Sequence, residues 1–206
     1  METRRIYHIT HVENLLSIVA QGRLWSDAQR LARQLPTTNI GHAHIKERRL
    51  RRAVPCAARG MLGDYVPFNF CPRSVMLYVI HRGSVLGYDG GQEPIIHLVS
   101  TVGAAVNSGR PWAFTNRHAE LAYAEYFDSV GEEKRVDWNV MPMDYWAGNE
   151  ETKEKRQAEF LVHDWFPFGS IEEIGVRSKR VAENVERILG STGFCPGVSL
   201  EPSWYY

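Results

Sequence analysis

Residues 7–15 read Tyr7-His8-Ile9-Thr10-His11-Val12-Glu13-Asn14-Leu15, and within them the spacing of apolar side chains changes from that of a strand to that of a helix. From Arg4 to Thr10 the side chains alternate. Ile6, His8 and Thr10 share one face of an extended segment, and Tyr7 and Ile9 share the other. From about Val12 onward Leu15, Ile18 and Val19 fall on one side of a helix, which Gly22 stops. Two polar residues, His8 and Thr10, therefore stand together on the first strand. By itself a strand histidine is more often a satisfied core residue than a functional one.

Working outward, residues 36 to 59 predict loop and helix with lopsided charge. Lys46, Arg48, Arg49, Arg51, Arg52 and Arg59 face a single acid, Glu47. Short apolar runs between turn residues follow. Tyr65 to Phe70, Val75 to Ile80, Ile95 to Val99 and Trp112 to Thr115 all predict strands. Asn116 is placed to cap a helix through Leu121, Tyr123 and Phe127 that bears several acids. Asp137 to Gln157 is polar and rich in Trp, Met and Gly, the texture of a functional loop. Glu159 to Phe166 and Ile171 to Arg177 predict two more strands, and Val181, Val185, Ile188 and Leu189 a last amphipathic helix. The tail from Gly190, with Pro196 and Pro202, is expected to be loosely held or to pack through Trp204 and Tyr205. Many short strands with helices at the start, middle and end define an α+β fold, and 206 residues suit a single domain.

Apolar residues make up 44% of the chain, enough for a core at this length, and aromatics at 11% exclude disorder over most of it. The 24 basic side chains balance 24 acidic ones, so nucleic-acid binding through bulk charge is excluded while a local patch is not. No eighteen apolar residues run together and Met1 to His8 leads into no signal-peptide core, so no membrane association is expected. Cys56, Cys71 and Cys195 form no Cys-x-x-Cys. They point to a reducing, cytoplasmic setting and away from a thiolate metal site. No Gly-x-Gly-x-x-Gly follows a strand and no Gly-x-x-x-x-Gly-Lys occurs, which excludes Rossmann and P-loop chemistry.

Four features carry candidate chemistry. The first is His8 with Thr10. The second is the run Lys46 to Arg52, whose arginines cannot all face one way on a helix; it reads either as a solvated face or as a phosphate-contacting surface. The third is Phe68-Asn69-Phe70-Cys71-Pro72-Arg73-Ser74, where Pro72 fixes a turn between two predicted strands. The fourth is Gln157-Ala158-Glu159, with Gln157 and Glu159 on one face at the mouth of an apolar strand. Each alone is weak.

Their order is specific. His-x-Thr, helix and Gly, aromatic-Pro-Arg-Ser, and Gln-x-Glu after a loop resemble the ADP-ribosyltransferase fold, in which His, an aromatic and Glu surround NAD. More closely, four stretches resemble the DarT-type DNA ADP-ribosyltransferases, toxins of bacterial toxin–antitoxin pairs. These are residues 7–15, Ile45-Lys46-Glu47-Arg48-Arg49, Val66 through Tyr78, and Arg156-Gln157-Ala158-Glu159-Phe160-Leu161. The resemblance covers roughly residues 4 to 178.

The resemblance implies a mostly antiparallel split sheet flanked by helices, and transfer of ADP-ribose from NAD, consumed as co-substrate without a metal, to a base in single-stranded DNA. Thymine is favoured; a guanine, RNA or protein acceptor, or a non-enzymatic nucleic-acid-binding module, are the alternatives. By position Glu159 stabilises positive charge developing at the ribose. His8, Ile9 and Thr10 hold NAD, with Gly22, Leu24 and Trp25 near its adenosine half. Phe68 or Phe70 replaces the fold's usual Tyr beside nicotinamide. Arg49 or Arg51 stabilises the deprotonated acceptor base, because an arginine whose pKa exceeds about 12 is no ordinary base. DNA contacts are expected from Lys46, Arg48, Arg52 and Arg73, from Trp138, Tyr145 and Trp146, and from Lys153, Lys155, Arg156 and Gln157. These basic segments are expected on one face and an acidic helix from Glu120 to Asp128 on the other. The expected partners are single-stranded DNA and a cognate antitoxin, with the chain itself a monomer.

Overall fold

A computed structural model describes residues 1–146, 148–190 and 193–206. Ala147, in the expected functional loop, and Ser191 and Thr192, in the expected tail, lie outside the described residues. The chain begins with β1 (Arg5–His11), α1 (Leu15–Gln21), β2 (Arg23–Trp25), α2 (Asp27–Ala32) and α3 (Ala43–Arg49). The middle comprises β3 (Tyr65–Asn69), α4 (Val75–His81), β4 (Ile95–Thr101), α5 (Val102–Asn107), β5 (Trp112–His118) and β6 (Tyr126–Phe127). It ends with α6 (Glu150–Lys155), β7 (Ala158–His163), β8 (Trp165–Pro167), β9 (Glu173–Val176), α7 (Lys179–Leu189) and β10 (Gly197–Leu200). The α+β expectation holds.

Eight strands form one sheet in the order β10-β9-β4-β1-β3-β7-β5-β6, antiparallel except for the β9–β10 pair, while β2 and β8 form a separate two-stranded ribbon. The large sheet is two half-sheets joined at a narrow seam. β1 pairs with β4 along its whole length, Arg5 opposite Thr101 through His11 opposite Ile95. Toward β3 it makes a single registered pair, Tyr7 opposite Asn69. β3 in turn pairs fully with β7, Asn69 opposite Glu159. The sheet therefore splits beside the middle of β1, and the first strand and the Glu159 strand frame the opening. One face of both halves packs into a core containing Ile6, Val66, Phe68, Leu98, Phe114 and Phe160, closed by Leu15 and Ile18 of α1 and Val181, Val185 and Leu189 of α7.

Two expectations are corrected, and a third is decided between its two alternatives. Val75 to Ile80 is the helix α4, not a strand: the Ser74 hydroxyl accepts from Leu77 N–H at 3.1 Å and caps it. A short continuous apolar run does not distinguish strand from buried helix. Here Leu77 and Ile80 are fully inside a core cluster while Met76 and Val79, packed at its edge, border a cavity, a spacing of three that a helix provides. Second, no helix spans 116–127. Asn116 pairs across a hairpin, its amide donating to the Glu125 carboxylate at 2.7 Å, and Phe114 packs against Phe127 at 5.1 Å. The acids expected on an opposite face are interleaved with the bases instead. Glu120 pairs with Arg48 at 2.8 Å, Glu125 with Arg135 at 2.9 Å, and Asp128 accepts from Ala57 N–H. Third, of the two alternatives for the tail, packing through Trp204 and Tyr205 holds. β10 joins the sheet edge, and the buried Tyr205 hydroxyl donates to Ile95 O at 2.8 Å. Within the stretch 137–157, residues Glu150–Lys155 form α6, capped by Asn149.

Candidate active site

The split holds a cavity of about 430 Å³, in the size range of small-molecule sites. His8, Ile9 and Thr10 of β1 line one side, and Pro67 and Asn69 of β3 with Glu159 of β7 line the other. His8 spans the seam, its Nδ1 2.8 Å from Pro67 O. That carbonyl can only accept, so Nδ1 carries the proton and Nε2 keeps a lone pair. Burial pushes the His8 imidazole pKa below its ordinary value, the Pro67 carbonyl opposing, so the ring is neutral at pH 7. Thr10 Oγ1 accepts from Asn14 Nδ2 at 3.1 Å. Asn14 also accepts from Thr38 N–H at 2.8 Å and donates to Thr38 O at 3.0 Å. One amide thereby pins the segment from Leu35 to His42, which forms a further cavity wall.

Glu159 is buried, 6% exposed. Its carboxylate accepts from Arg49 Nη1 at 2.9 and 3.1 Å and weakly from Ala119 N–H at 3.4 Å. Its own N–H donates to Thr115 Oγ1 at 3.0 Å, which fixes the strand beside β5. Arg49 Nη2 is buried with no hydrogen-bond partner among the described residues, and the same holds for Trp25 Nε1. Both residues line the cavity. Buried donors without partners are costly, so the site is built to receive a ligand carrying acceptors.

The run Lys46 to Arg52 is resolved by helix geometry. Lys46 and Arg49, three apart on α3, face the cavity; Lys46 Nζ lies 3.2 Å from Asp27 Oδ1. Burial raises the Asp27 carboxyl, but Lys46 and Arg30 outweigh it and hold the pKa below the usual range. Of the two arginine candidates, Arg49 meets Glu159 while Arg51 is exposed and off the cavity. Arg48 pairs with Glu120, and Arg52 donates to Leu121 O at 2.8 Å.

Other candidates divide. Leu24 and Trp25 line the cavity with His8, Ile9 and Thr10, whereas Gly22 is the left-handed cap of α1 (φ 63°) and stands outside it. Phe68 and Phe70 do not border the cavity. Side chains alternate along β3, so with Pro67 and Asn69 on the cavity side both phenylalanines enter the core, Phe68 against Phe166 and Phe70 against Trp138 and Phe160. Lys153 and Gln157 reach the cavity; Gln157 Nε2 donates to Lys153 O at 3.1 Å. Lys155 is occupied by Glu151 and Asp137, and Arg73 by Asp144 at 2.7 Å.

Arg156 is corrected from a phosphate contact to a buried strut. It is 3% exposed and donates to Val140 O at 2.7 Å, to Met141 O and to Arg73 O at 3.1 Å. Trp146, 5% exposed, packs on Tyr78 and offers no free stacking face. Trp138 lies under Arg4 and against Phe70, its Nε1 donating to Glu133 O. Only Tyr145 of the three aromatics, at 92% exposure, is open to solvent.

The sequence reading missed several cavity residues: Asn14, Asp27, Asn69, Met76, Val79 and His118. Asn69 was within reach, since strand alternation alone puts it opposite to its two aromatic neighbours. His118 was hidden by ending the strand at Thr115. Burial lowers its imidazole pKa, the Glu159 carboxylate opposing. Among the described residues no group of three His, Cys, Asp or Glu side chains could hold a metal ion, and no helix is long and apolar enough to cross a membrane.

Comparison with known proteins accords with this geometry. Residues 7–206 match the family model described as DarT, ssDNA thymidine ADP-ribosyltransferase. A DNA ADP-ribosyl transferase of Thermus sp. (strain 2.9) is 46% identical over 207 aligned positions, covering 100% of this chain and 97% of that one. The solved structure of Thermus sp. 2.9 DarT in complex with ADP-ribosylated ssDNA superposes with a TM-score of 0.95 at 45% identity, covering 100% of this chain and 98% of that one. That of Thermus sp. 2.9 DarT in complex with NAD+ gives 0.91 at 43%, covering 100% and 99%. With the split sheet, the Arg49–Glu159 pair and full-length similarity in agreement, the chain belongs to the DarT family and is an NAD-dependent DNA ADP-ribosyltransferase.

Proposed function

We propose that this chain uses Glu159 and Arg49 to transfer ADP-ribose from NAD to a thymine in single-stranded DNA, releasing nicotinamide, and that it is the toxin of a toxin–antitoxin pair. One observation carries the reading: Glu159 and His8, from the two half-sheets, face a single cavity in which Arg49 lies on the carboxylate. His8, Ile9 and Thr10, with Leu24 and Trp25, fit NAD by forming one continuous wall that includes unpaired and acceptor groups. His8 Nε2, kept as an acceptor by the Nδ1 bond to Pro67, takes a ribose hydroxyl. Glu159 orients the ribose and stabilises the positive charge that develops as neutral nicotinamide leaves.

The acceptor step falls to Arg49. A thymine ring nitrogen is a poor nucleophile until it loses its proton, which in this reading passes to solvent as the new bond to the ribose forms. The unpaired Nη2 of Arg49 offers N–H groups to the anionic base while Nη1 holds Glu159 in place. Arg51, exposed and remote, has no part in this reading. Met76 and Val79 of α4 supply the apolar wall that the phenylalanines do not. The chain acts as a monomer in the cytoplasm, where its three free cysteines stay reduced, and a partner antitoxin blocks or reverses the modification.

Mass spectrometry of single-stranded oligonucleotides varied in base content, after incubation with NAD, tests this. The expected result is one ADP-ribose adduct confined to thymine-containing strands and lost by about a thousandfold in Glu159→Gln. Adducts on guanine-only strands, or undiminished transfer by Glu159→Gln, would overturn it.

A further inference from the structure

The cations expected to grip DNA are largely engaged. Lys46, Arg48, Arg73, Lys153 and Lys155 each pair with a carboxylate, and Arg156 is buried among carbonyls. A protein with zero net charge needs uncommitted cations elsewhere to hold a polyanion. On the β2–β8 ribbon, where only Leu24 and Trp25 were expected to act, beside NAD, they occur in a different form. Trp25 and Trp165 are directly opposite each other across the two strands. Arginines alternate with them in a ladder. Arg33 lies 4.1 Å from the Trp25 ring, Arg23 lies 5.0 Å from Trp25 and 4.5 Å from Trp165, and Arg110 lies 5.0 Å from Trp165.

The chemistry of the rungs points outward. A guanidinium lying on an indole has its plane fixed while its N–H edge remains available, the geometry that grips phosphate bidentately. Arg23 and Arg33 form no ion pair among the described residues, and Arg33 is exposed. At the far rung Arg110 is anchored by Asp164 at 2.7 Å, so that end of the ladder is tethered. The middle of the ladder opens on the active site, because Trp25 and Arg23 also line the cavity, while Arg33 on one side and Trp165 and Arg110 on the other do not. Cations that aromatic rings hold in place, on a ribbon leading away from a cavity, suit the backbone of a single strand, with phosphates on the N–H edges of the guanidiniums.

We propose that the Arg33–Trp25–Arg23–Trp165–Arg110 ladder is an accessory track for single-stranded DNA, holding the acceptor strand several nucleotides away from the modified base. The proposal rests on the DNA-modifying reading above. It differs from that reading in predicting a dependence on strand length rather than on the target base.

The test compares wild type with Trp165→Leu and Arg33→Ala, neither of which touches the cavity. Fluorescence anisotropy measures binding of labelled oligonucleotides of about 6 and about 20 nucleotides across a salt series, and transfer is measured on the same strands with NAD saturating. Trp165→Leu removes the ring on which Arg23 and Arg110 lie, so it should weaken binding of the long strand about fivefold and leave the short one within about twofold. Arg33→Ala should weaken the long strand and lower the slope of log affinity against log salt by about one. Equal effects on short and long strands, or no effect on either, would overturn the track. A change confined to the KM for NAD would overturn it too, assigning the ladder to the nucleotide. Loss of binding to an acidic protein partner with DNA affinity intact would reassign the surface to that partner and likewise overturn it. Absence of transfer by the wild type on any strand would sink the activity reading instead, so the two failures are distinguishable.

Discussion

Arg49 and Arg156 are two largely shielded arginines at the C-terminal ends of short helices, and they have opposite employment. Arg49, at the end of α3, meets a carboxylate at the edge of a cavity and keeps one nitrogen unbonded. Arg156, just past α6, meets only backbone carbonyls from 140, 141 and 73 in a closed interior. The first is a charge held ready for a ligand; the second replaces missing secondary structure. The described residues of segment 137–149 contain one short helical turn and little else, so their carbonyls need a donor, and the guanidinium fork of Arg156 supplies it to two of them. An arginine in a basic run therefore reveals its role through its partners, not through its neighbours in sequence.

Paired substitutions should separate the two roles, and this is the largest effect expected. Arg156→Ala leaves Met141 O without its donor and takes one of two donors from Val140 O and Arg73 O, and it should cost about 3–4 kcal/mol, read as a fall of roughly 10 °C in thermal midpoint for a domain of this size. Arg49→Ala leaves Glu159 with water from the cavity and the Ala119 N–H, and should cost only about 1 kcal/mol. DNA transfer should fall by about a hundredfold or more in Arg49→Ala with folding preserved. Thermal denaturation and transfer assays on both variants check this. Similar losses of stability would erase the distinction.

The order of chemistry-bearing residues was legible in the sequence; their orientation was legible only in part. His8, Thr10 and Glu159 stand where the strand pattern put them, since their positions follow from alternation along extended chain. Arg49 could not be told from Arg51, because the choice depends on the axial rotation of α3, which is set by contacts distant in sequence. Phe68 and Phe70 were taken for ligand-facing rings because of their type, although alternation places Asn69 there. Val75 to Ile80 was assigned to a strand because its apolar residues are continuous, and the decisive Ser74 cap was read as part of a turn. The ladder was invisible, since Trp25 and Trp165 are brought together by a pairing across most of the chain.

The second expected effect concerns pH, and it falls on the structural side of the comparison. His97 is fully buried, its Nε2 3.0 Å from Pro72 O, one residue before the carbonyl that Arg156 and the Tyr206 hydroxyl share. Burial pushes its pKa down to about 4. A histidine whose folded pKa lies below its unfolded value of about 6.5 leaves stability intact above pH 6.5 and removes it as pH falls toward 4, because the unfolded chain takes up the proton first. The loss attributable to His97 should approach about 3 kcal/mol near pH 4. Denaturant unfolding between pH 7 and 4 on wild type and His97→Gln should show a shallower slope in the variant. Parallel slopes would mean that the interior around Pro72 does not depend on a neutral His97.

The smallest expected effect is the sharpest test of orientation. Arg51 follows Arg49 by two positions, in the turn beyond α3, where it is exposed and off the cavity. Arg51→Ala should therefore change stability by less than about 0.5 kcal/mol and leave transfer to a short oligonucleotide within about twofold of wild type. The same substitution at Arg49 removes the only side-chain cation bonded to Glu159 among the described residues. Side-by-side transfer assays at saturating NAD decide between them. A large loss in Arg51→Ala with Arg49→Ala near wild type would mean that α3 turns when DNA binds, bringing the outer arginine onto the acceptor base and freeing Glu159 from its present partner.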